Sequence, residues 1–170
     1  MTDARDVFIS GLKDAYALEQ QTRDMMESQA NRLEDYPDLQ ARASEHLRET
    51  ENQIDRLRQC LEMIGESPST LKNLGARTMG AMQSMVHATV TDEPIKDTLT
   101  GYGVEHLEIA SYRSLIAFAN RLGEQRMVPL LKQSLHEEEA MADWVGKHIE
   151  SVTQQFCAQA EMPARQSRTI

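Results

Sequence analysis

The segment "EHLRETENQIDRL", residues 45–57, places a histidine and a carboxylate where a helix would normally be apolar. Successive residues of an α-helix are rotated by about 100°, so His46 shares a stripe with Leu57 and Leu61. Glu49 lies about 60° to the other side of His46. Imidazole nitrogen and carboxylate oxygen are both ligands of divalent iron and manganese. The pair could therefore bind a metal ion inside a helical protein.

Three further segments with helical periodicity also direct carboxylates toward their apolar stripes. Glu138 lies within the stripe of the last segment, and Glu108 lies within that of the segment before it, with Glu105 one turn earlier. Glu19 has the equivalent position in the N-terminal segment. Each predicted helix therefore carries at least one inward acid.

The inward acids also lie at matched depths along their helices. Glu19 precedes the turn predicted at residues 31–37 by as many residues as Glu49 follows it, and Glu108 and Glu138 are equally far from Gly123. Because every helical residue advances by about 1.5 Å, the acids of each hairpin should be nearly level. Acids scattered over a solvated surface have no reason to be level.

Level carboxylates inside a bundle need a positive partner, because burying one ionised carboxylate alone costs on the order of several kcal/mol. Divalent iron or manganese would neutralise them, and four-helix bundles with inward Glu and His side chains are established di-metal scaffolds. A metal-free network is the competing explanation. In that case the acids pair with Arg23 and Arg42, and Thr50, Gln53 and Tyr112 form hydrogen bonds.

The helices that would position these residues follow from apolar periodicity and from Pro and Gly signals. We expect an all-α four-helix bundle made of two antiparallel hairpins, joined by a long crossover that carries an additional helix. The bundle should occupy residues 1–157 and a flexible tail residues 158–170. The predicted helices cover residues 3–30, about 38–65, about 67–90 in the crossover, 92–122 and about 124–157.

Composition and charge limit the partners and the location. The formal net charge of −9 repels phosphate backbones and anionic lipid, so we expect neither nucleic acid nor membrane as a partner. The first residues, "MTDARD", are too polar and acidic for a signal peptide. Cys60 and Cys157 lie far apart in helical patterns, which is typical of free thiols in a reducing cytosol. The expected location is therefore the cytoplasm.

The chain contains four characteristic stretches: "LKDAYALEQQ", "HLRETENQIDRL", "GVEHLEIASYRSLIAFANRLG" and "LLKQSLHEEEAMADWV". As a set, spanning about residues 12–145, they resemble the ferritin-like stress-response proteins typified by bacterial YciF and YciE. The resemblance implies a rubrerythrin-like bundle with a carboxylate-bridged di-iron centre, in a homodimer or a higher homo-oligomer. The residues that match the family's metal ligands are Glu19, His46, Glu49, Glu105, Glu108 and Glu138.

Two departures from the wider ferritin-like pattern change the expected chemistry. The usual Glu-x-x-His order is reversed in His46-x-x-Glu49, and Met141 stands where a second histidine is expected, three residues after Glu138. A site with one histidine and five carboxylates is harder and more anionic than the family pattern. It would favour a different metal, a lower redox potential or a single ion.

Three functions are consistent with the sequence. The first is a di-metal redox protein that reacts with oxygen or peroxide near Tyr112. The second is an iron-binding or sequestration protein without turnover. The third is a metal-free helical interaction module, in which the Met-rich crossover contacts a partner; its "TMGAMQSM" cluster is also a candidate dimer contact.

Overall fold

The computed structural model describes residues 3–29, 33–66 and 93–161. These residues form four α-helices and no strand, which confirms the all-α prediction. The helices are α1 (Ala4–Gln29), α2 (Pro37–Met63), α3 (Glu93–Leu122) and α4 (Val128–Ala160). The predicted crossover helix at about 67–90 lies outside the described residues, as does the tail from residue 162 onward. None of the described helices has an apolar stretch that could cross a membrane.

The helix ends follow local Pro and Gly chemistry. Pro37 is the first residue of α2, and Pro129 lies in the first turn of α4, where the missing backbone N–H costs nothing. Gly123 follows α3 with φ +79°, a left-handed conformation that closes a helix and suits glycine. α4 starts at Val128, later than the predicted position 124, and continues to Ala160, three residues beyond the predicted end.

The helices form two hairpins that pack against each other. α1 packs against α2 and α3, and α4 packs against α2 and α3. α1 and α3 are antiparallel, because Glu19 contacts Tyr112 whereas Thr22, further along α1, contacts Glu108, which is earlier in α3. All four helices therefore face one shared interior.

Two apolar clusters fill the interior at different heights. The larger includes Phe8, Leu12, Leu57 and Leu131, and it also buries Cys60, which forms no disulfide. The second, near the α1–α2 turn and the far part of α4, contains Leu33, Tyr36, Leu39 and Val152. The residues between these clusters along each helix are those that the sequence marked as inward acids and His46.

Candidate metal centre

The layer between the two apolar clusters is polar and almost fully buried. Side chains from all four helices meet there, and none is more than 3% exposed. Two apolar layers thus exclude water from a group of acids and one imidazole, as the sequence predicts. The buried members are Glu19, His46, Glu105, Glu108 and Glu138.

Three of these residues form a tight group. The His46 Nε2 atom lies 3.2 Å from Glu105 Oε2 and 3.7 Å from Glu138 Oε2. One ligand atom from each of the three lies within 4.8 Å of the other two. Atoms at these separations, all of types that bind hard or borderline divalent cations, could share one ion.

Three neutral side chains each donate a hydrogen bond to one oxygen of a carboxylate on another helix. The Tyr112 hydroxyl donates to Glu19 Oε1 at 2.6 Å, and the Thr22 hydroxyl donates to Glu108 Oε1 at 2.7 Å. The Gln53 amide donates to Glu138 Oε1. These bonds orient the carboxylates without adding a charge that would neutralise them. The site therefore remains acidic although its side chains are fixed.

One buried oxygen of each of three inner carboxylates has no hydrogen-bond partner among the described residues: Oε2 of Glu19, Glu108 and Glu138. Oε2 of Glu105 and Nε2 of His46 face each other at 3.2 Å in the same layer. Buried polar atoms in native proteins are normally paired, because each unpaired one costs about 1–3 kcal/mol. Four carboxylate oxygens and one imidazole nitrogen in the same layer fit a bound cation, and this donor set suits divalent iron or manganese.

The electrostatics of the layer favour protons on the acids when no cation is present. Burial raises the pKa of Glu19 to about 8, although its hydrogen bond from Tyr112 acts in the opposite direction. Burial also raises the pKa of Glu108 and of Glu138 well above the ordinary value. Burial would lower the pKa of His46, but Glu105, Glu49 and Glu108 together outweigh it and raise that pKa to about 10.

Glu49, the sixth predicted ligand, lies on the other side of His46. Its Oε2 atom is 2.8 Å from His46 Nδ1 and 3.0 Å from Arg42 Nη1, and its side chain is 26% exposed. The hydrogen bond to His46 is the main reason why the pKa of Glu49 is lowered. Glu49 is thus positioned to orient the imidazole so that Nε2 points at Glu105 and Glu138.

The arginines of the metal-free explanation do not enter the inner layer. Arg23 pairs with its neighbour Asp24, and Arg42 pairs with Glu45 and Glu49. Within residues 3–29, 33–66 and 93–161, the ion-pair contacts of Glu105 and Glu138 are with His46. The buried acids are therefore not neutralised by the arginines that the sequence suggested.

A second polar group, which the sequence analysis did not identify, links α2 to α4 beside the site. Arg56 is buried, donates from Nε to Ser134 Oγ at 3.0 Å and forms an ion pair with Glu137. Gln53 also donates to Glu137 Oε2 at 3.1 Å. Periodicity places Glu137 away from the stripe, but the adjacent helix supplies its partners. The spacing of Gln53 and Arg56, three residues apart on one helix face, is the signal that could have revealed this group.

Met141 occupies the position, three residues after Glu138, at which a second histidine was expected from the sequence. Its side chain is buried, one turn beyond Glu138 on α4. A thioether is a soft ligand that suits copper(I) better than iron or manganese. Among the described residues, His46 is therefore the nitrogen donor of the layer.

Comparisons with known proteins identify related sequences and structures. The family model for a domain of unknown function, DUF892, matches residues 3–158. Protein YciF of Escherichia coli (strain K12) is 33% identical over 147 residues, which cover 82% of this chain and 86% of YciF. The crystal structure of that E. coli stress protein superposes with a TM-score of 0.75 and 29% identity, covering 91% of this chain and 99% of YciF.

Two other solved structures have the same architecture. A protein from Xanthomonas campestris superposes with a TM-score of 0.78 at 32% identity, covering 94% of this chain and all of that one. A ferritin-like, diiron-carboxylate protein of Bacillus anthracis superposes with a TM-score of 0.70, covering 88% of this chain and 99% of its own. Its identity is only 14%, so this similarity concerns the fold. The chain belongs to the DUF892 family, is a homologue of the stress protein YciF and has the fold of ferritin-like proteins.

Proposed function

We propose that this protein binds divalent metal ions, iron first and manganese as the alternative, in the polar layer of its bundle. Two ions are expected from the number of acids. The ligands would come from Glu19, His46, Glu105, Glu108 and Glu138, and Glu49 contacts the centre through His46. The proposal includes a role in a stress response, by homology with the E. coli stress protein YciF.

One observation carries this proposal: carboxylate oxygens without hydrogen-bond partners lie together with the Nε2 atom of His46 in one buried layer. Without a cation, the acids stay protonated. The polar layer then separates the two apolar clusters at a net cost in folding free energy. With a cation, the same atoms become its ligands, and metal binding releases the protons. Tyr112, Thr22 and Gln53 would then hold the carboxylates in place, while the apolar clusters exclude water.

Bound iron would supply redox chemistry toward oxygen or peroxide, and this reaction is the first candidate activity. The chain contributes a buried hydroxyl group beside the site, the Oη atom of Tyr112, which lies 2.6 Å from Glu19 Oε1. Iron sequestration without turnover is the second candidate. Met141 in place of a second histidine favours it, since it leaves a more anionic donor set. Hydrogen peroxide consumption by the iron-loaded protein separates the two candidates.

Metal content is the direct test of binding. The wild type, reconstituted anaerobically with iron(II) or manganese(II) and desalted, should retain near-stoichiometric metal by elemental analysis. The double variant Glu105→Gln with Glu138→Gln keeps the side-chain volumes but removes two charged ligands, and it should lose most of the metal. Glu139→Gln is the matched control, because Glu139 is on the same helix but pairs with Arg113 at the surface. A wild type that retains neither metal would refute the proposal.

A further inference from the structure

An apolar cavity of about 50 Å³ lies beside the proposed metal centre. It is partly open and is lined by the second half of α1, the beginnings of α2 and α3, and the middle of α4. Its lining is mostly apolar and includes Leu39, Met141 and Val145. Neither the proposed ligand set nor the hydrogen bonds around it assign a role to this space.

The cavity reaches the polar layer at two points. Glu105 lines it, and the Oε2 atom of this carboxylate is 3.2 Å from His46 Nε2. Thr22 also lines it, and the hydroxyl of Thr22 donates to Glu108. A molecule in the cavity would therefore contact the side of the site formed by Glu105. Such contact matters because a reactive metal centre needs a route for a small reactant.

Size and polarity restrict the ligand. A cavity must offer about 10–15 Å³ to hold one water, and an apolar cavity of about 150 Å³ holds benzene. At about 50 Å³, this one has room for a molecule of two or three heavy atoms. The apolar lining disfavours polar ligands, and the adjacent carboxylates repel anions. A small neutral apolar molecule is the class that remains.

We propose that this cavity binds a small neutral apolar molecule of the size of dioxygen next to the metal centre. The cavity itself is present without metal, whereas its use by the centre rests on the proposed function. Leu39 of α2 and Gly101 of α3 line the space together with Glu105.

Xenon is the probe for the cavity in metal-free protein. With ¹³C-methyl-labelled methionine, xenon pressure should produce a saturable shift of the Met141 methyl resonance. Gly101→Leu is the filling variant, because Gly101 lines the cavity and a Cβ added there meets no atom within 4 Å. This variant should lose the xenon shift. Ala117→Leu, at an exposed position of the same helix, is the control that should keep it.

Oxygen use is tested in the iron-loaded protein. Gly101→Leu should leave the bound iron stoichiometry unchanged and slow the oxidation of bound iron(II) by dissolved oxygen, whereas Ala117→Leu should change neither. A wild type with no xenon shift at Met141, or an oxidation rate that Gly101→Leu does not change, would overturn this inference. A wild type that binds xenon but no metal would instead overturn the proposed function.

Discussion

Individual hydrogen-bond donors fix the orientation of three of the inner carboxylates. Tyr112, Thr22 and Gln53 each donate to one oxygen of a different glutamate and leave the other oxygen unpartnered. All three donors are neutral, so they fix the orientation of the carboxylates without forming ion pairs. Positioning groups of this kind commonly change metal affinity as strongly as the ligands themselves.

Tyr112→Phe tests one of these donors in metal-free protein. The substitution removes the hydroxyl that donates to Glu19 and leaves a fully buried carboxyl group without this partner. We expect the free energy of unfolding, measured with urea, to fall by about 1–3 kcal/mol. Tyr16→Phe is the control, because the Tyr16 hydroxyl has only a 3.5 Å contact with Gln20, and its effect should stay within about 0.5 kcal/mol. Equal losses would contradict the specific role of Tyr112.

Glu49→Gln tests whether this residue orients His46 or binds metal directly. If it orients the imidazole, the number of bound ions should stay the same while metal affinity falls about 10–100-fold. Competition with a chelator measures the affinity, and elemental analysis gives the number of ions. Glu45→Gln is the matched control, because Glu45 pairs with the same Arg42 but is mostly exposed. Loss of one ion in Glu49→Gln would instead show that Glu49 is a direct ligand, as the sequence predicts.

At the scale of the helices, two glycines in or beside α3 have opposite effects on stability. Gly123 ends the helix with φ +79°, whereas Gly101 lies within it and has open space around its Cβ position. Gly123 is required by the backbone conformation. Gly101 is not required by the helix, and glycine weakens a helix interior relative to alanine.

The pair Gly123→Ala and Gly101→Ala should therefore shift stability in opposite directions. We expect Gly123→Ala to lower the free energy of unfolding by about 1–2 kcal/mol, because a side chain strains the left-handed conformation. Gly101→Ala should raise it by up to about 1 kcal/mol. Thermal unfolding followed by circular dichroism measures both. A stabilising Gly123→Ala would mean that the α3–α4 turn adopts another conformation in solution.

For the whole molecule, the buried polar layer couples stability to pH. In the folded metal-free protein Glu19 has a pKa of about 8, above the ordinary 4.5, and His46 has a pKa of about 10, above the ordinary 6.5. Both pKa values are raised on folding, so the folded protein binds more protons than the unfolded chain. The contribution of these two groups to stability is therefore fully present below their ordinary pKa values and is lost as pH rises toward their pKa values in the folded protein.

We expect the free energy of unfolding of the metal-free protein to decrease from pH 5 to pH 8. Each group that has lost its proton in the unfolded chain but keeps it in the folded protein should contribute a decrease of about 1.4 kcal/mol per pH unit. Bound metal should reverse this trend, because ligation requires deprotonated carboxylates and a neutral imidazole. Urea unfolding at several pH values, with and without manganese(II), measures both trends. A metal-free protein that becomes more stable over this range would show that the layer is not buried as described.

Much of the architecture could be predicted from the sequence because its signals are local. Helical periodicity identified the inward positions of Glu19, His46 and Glu138, and the structure buries all three. Pro37 and Gly123 marked helix ends correctly, because each acts through its own backbone conformation. α4 starts at Val128, a few residues after the approximate position 124, because Pro129 fits best in the first turn of a helix.

The sequence by itself determined the fold class, the acidic layer and its approximate depth, because these depend only on a repeat of about 3.6 residues and on chain signals nearby. Only the tertiary structure decided which atoms meet. It placed Glu49 at His46 Nδ1, away from Glu105, and it paired Arg56 with Glu137 across two helices. It also opened the cavity beside Glu105. Such contacts depend on side-chain rotamers and on the packing of helices distant in sequence, which periodicity along a single helix does not specify.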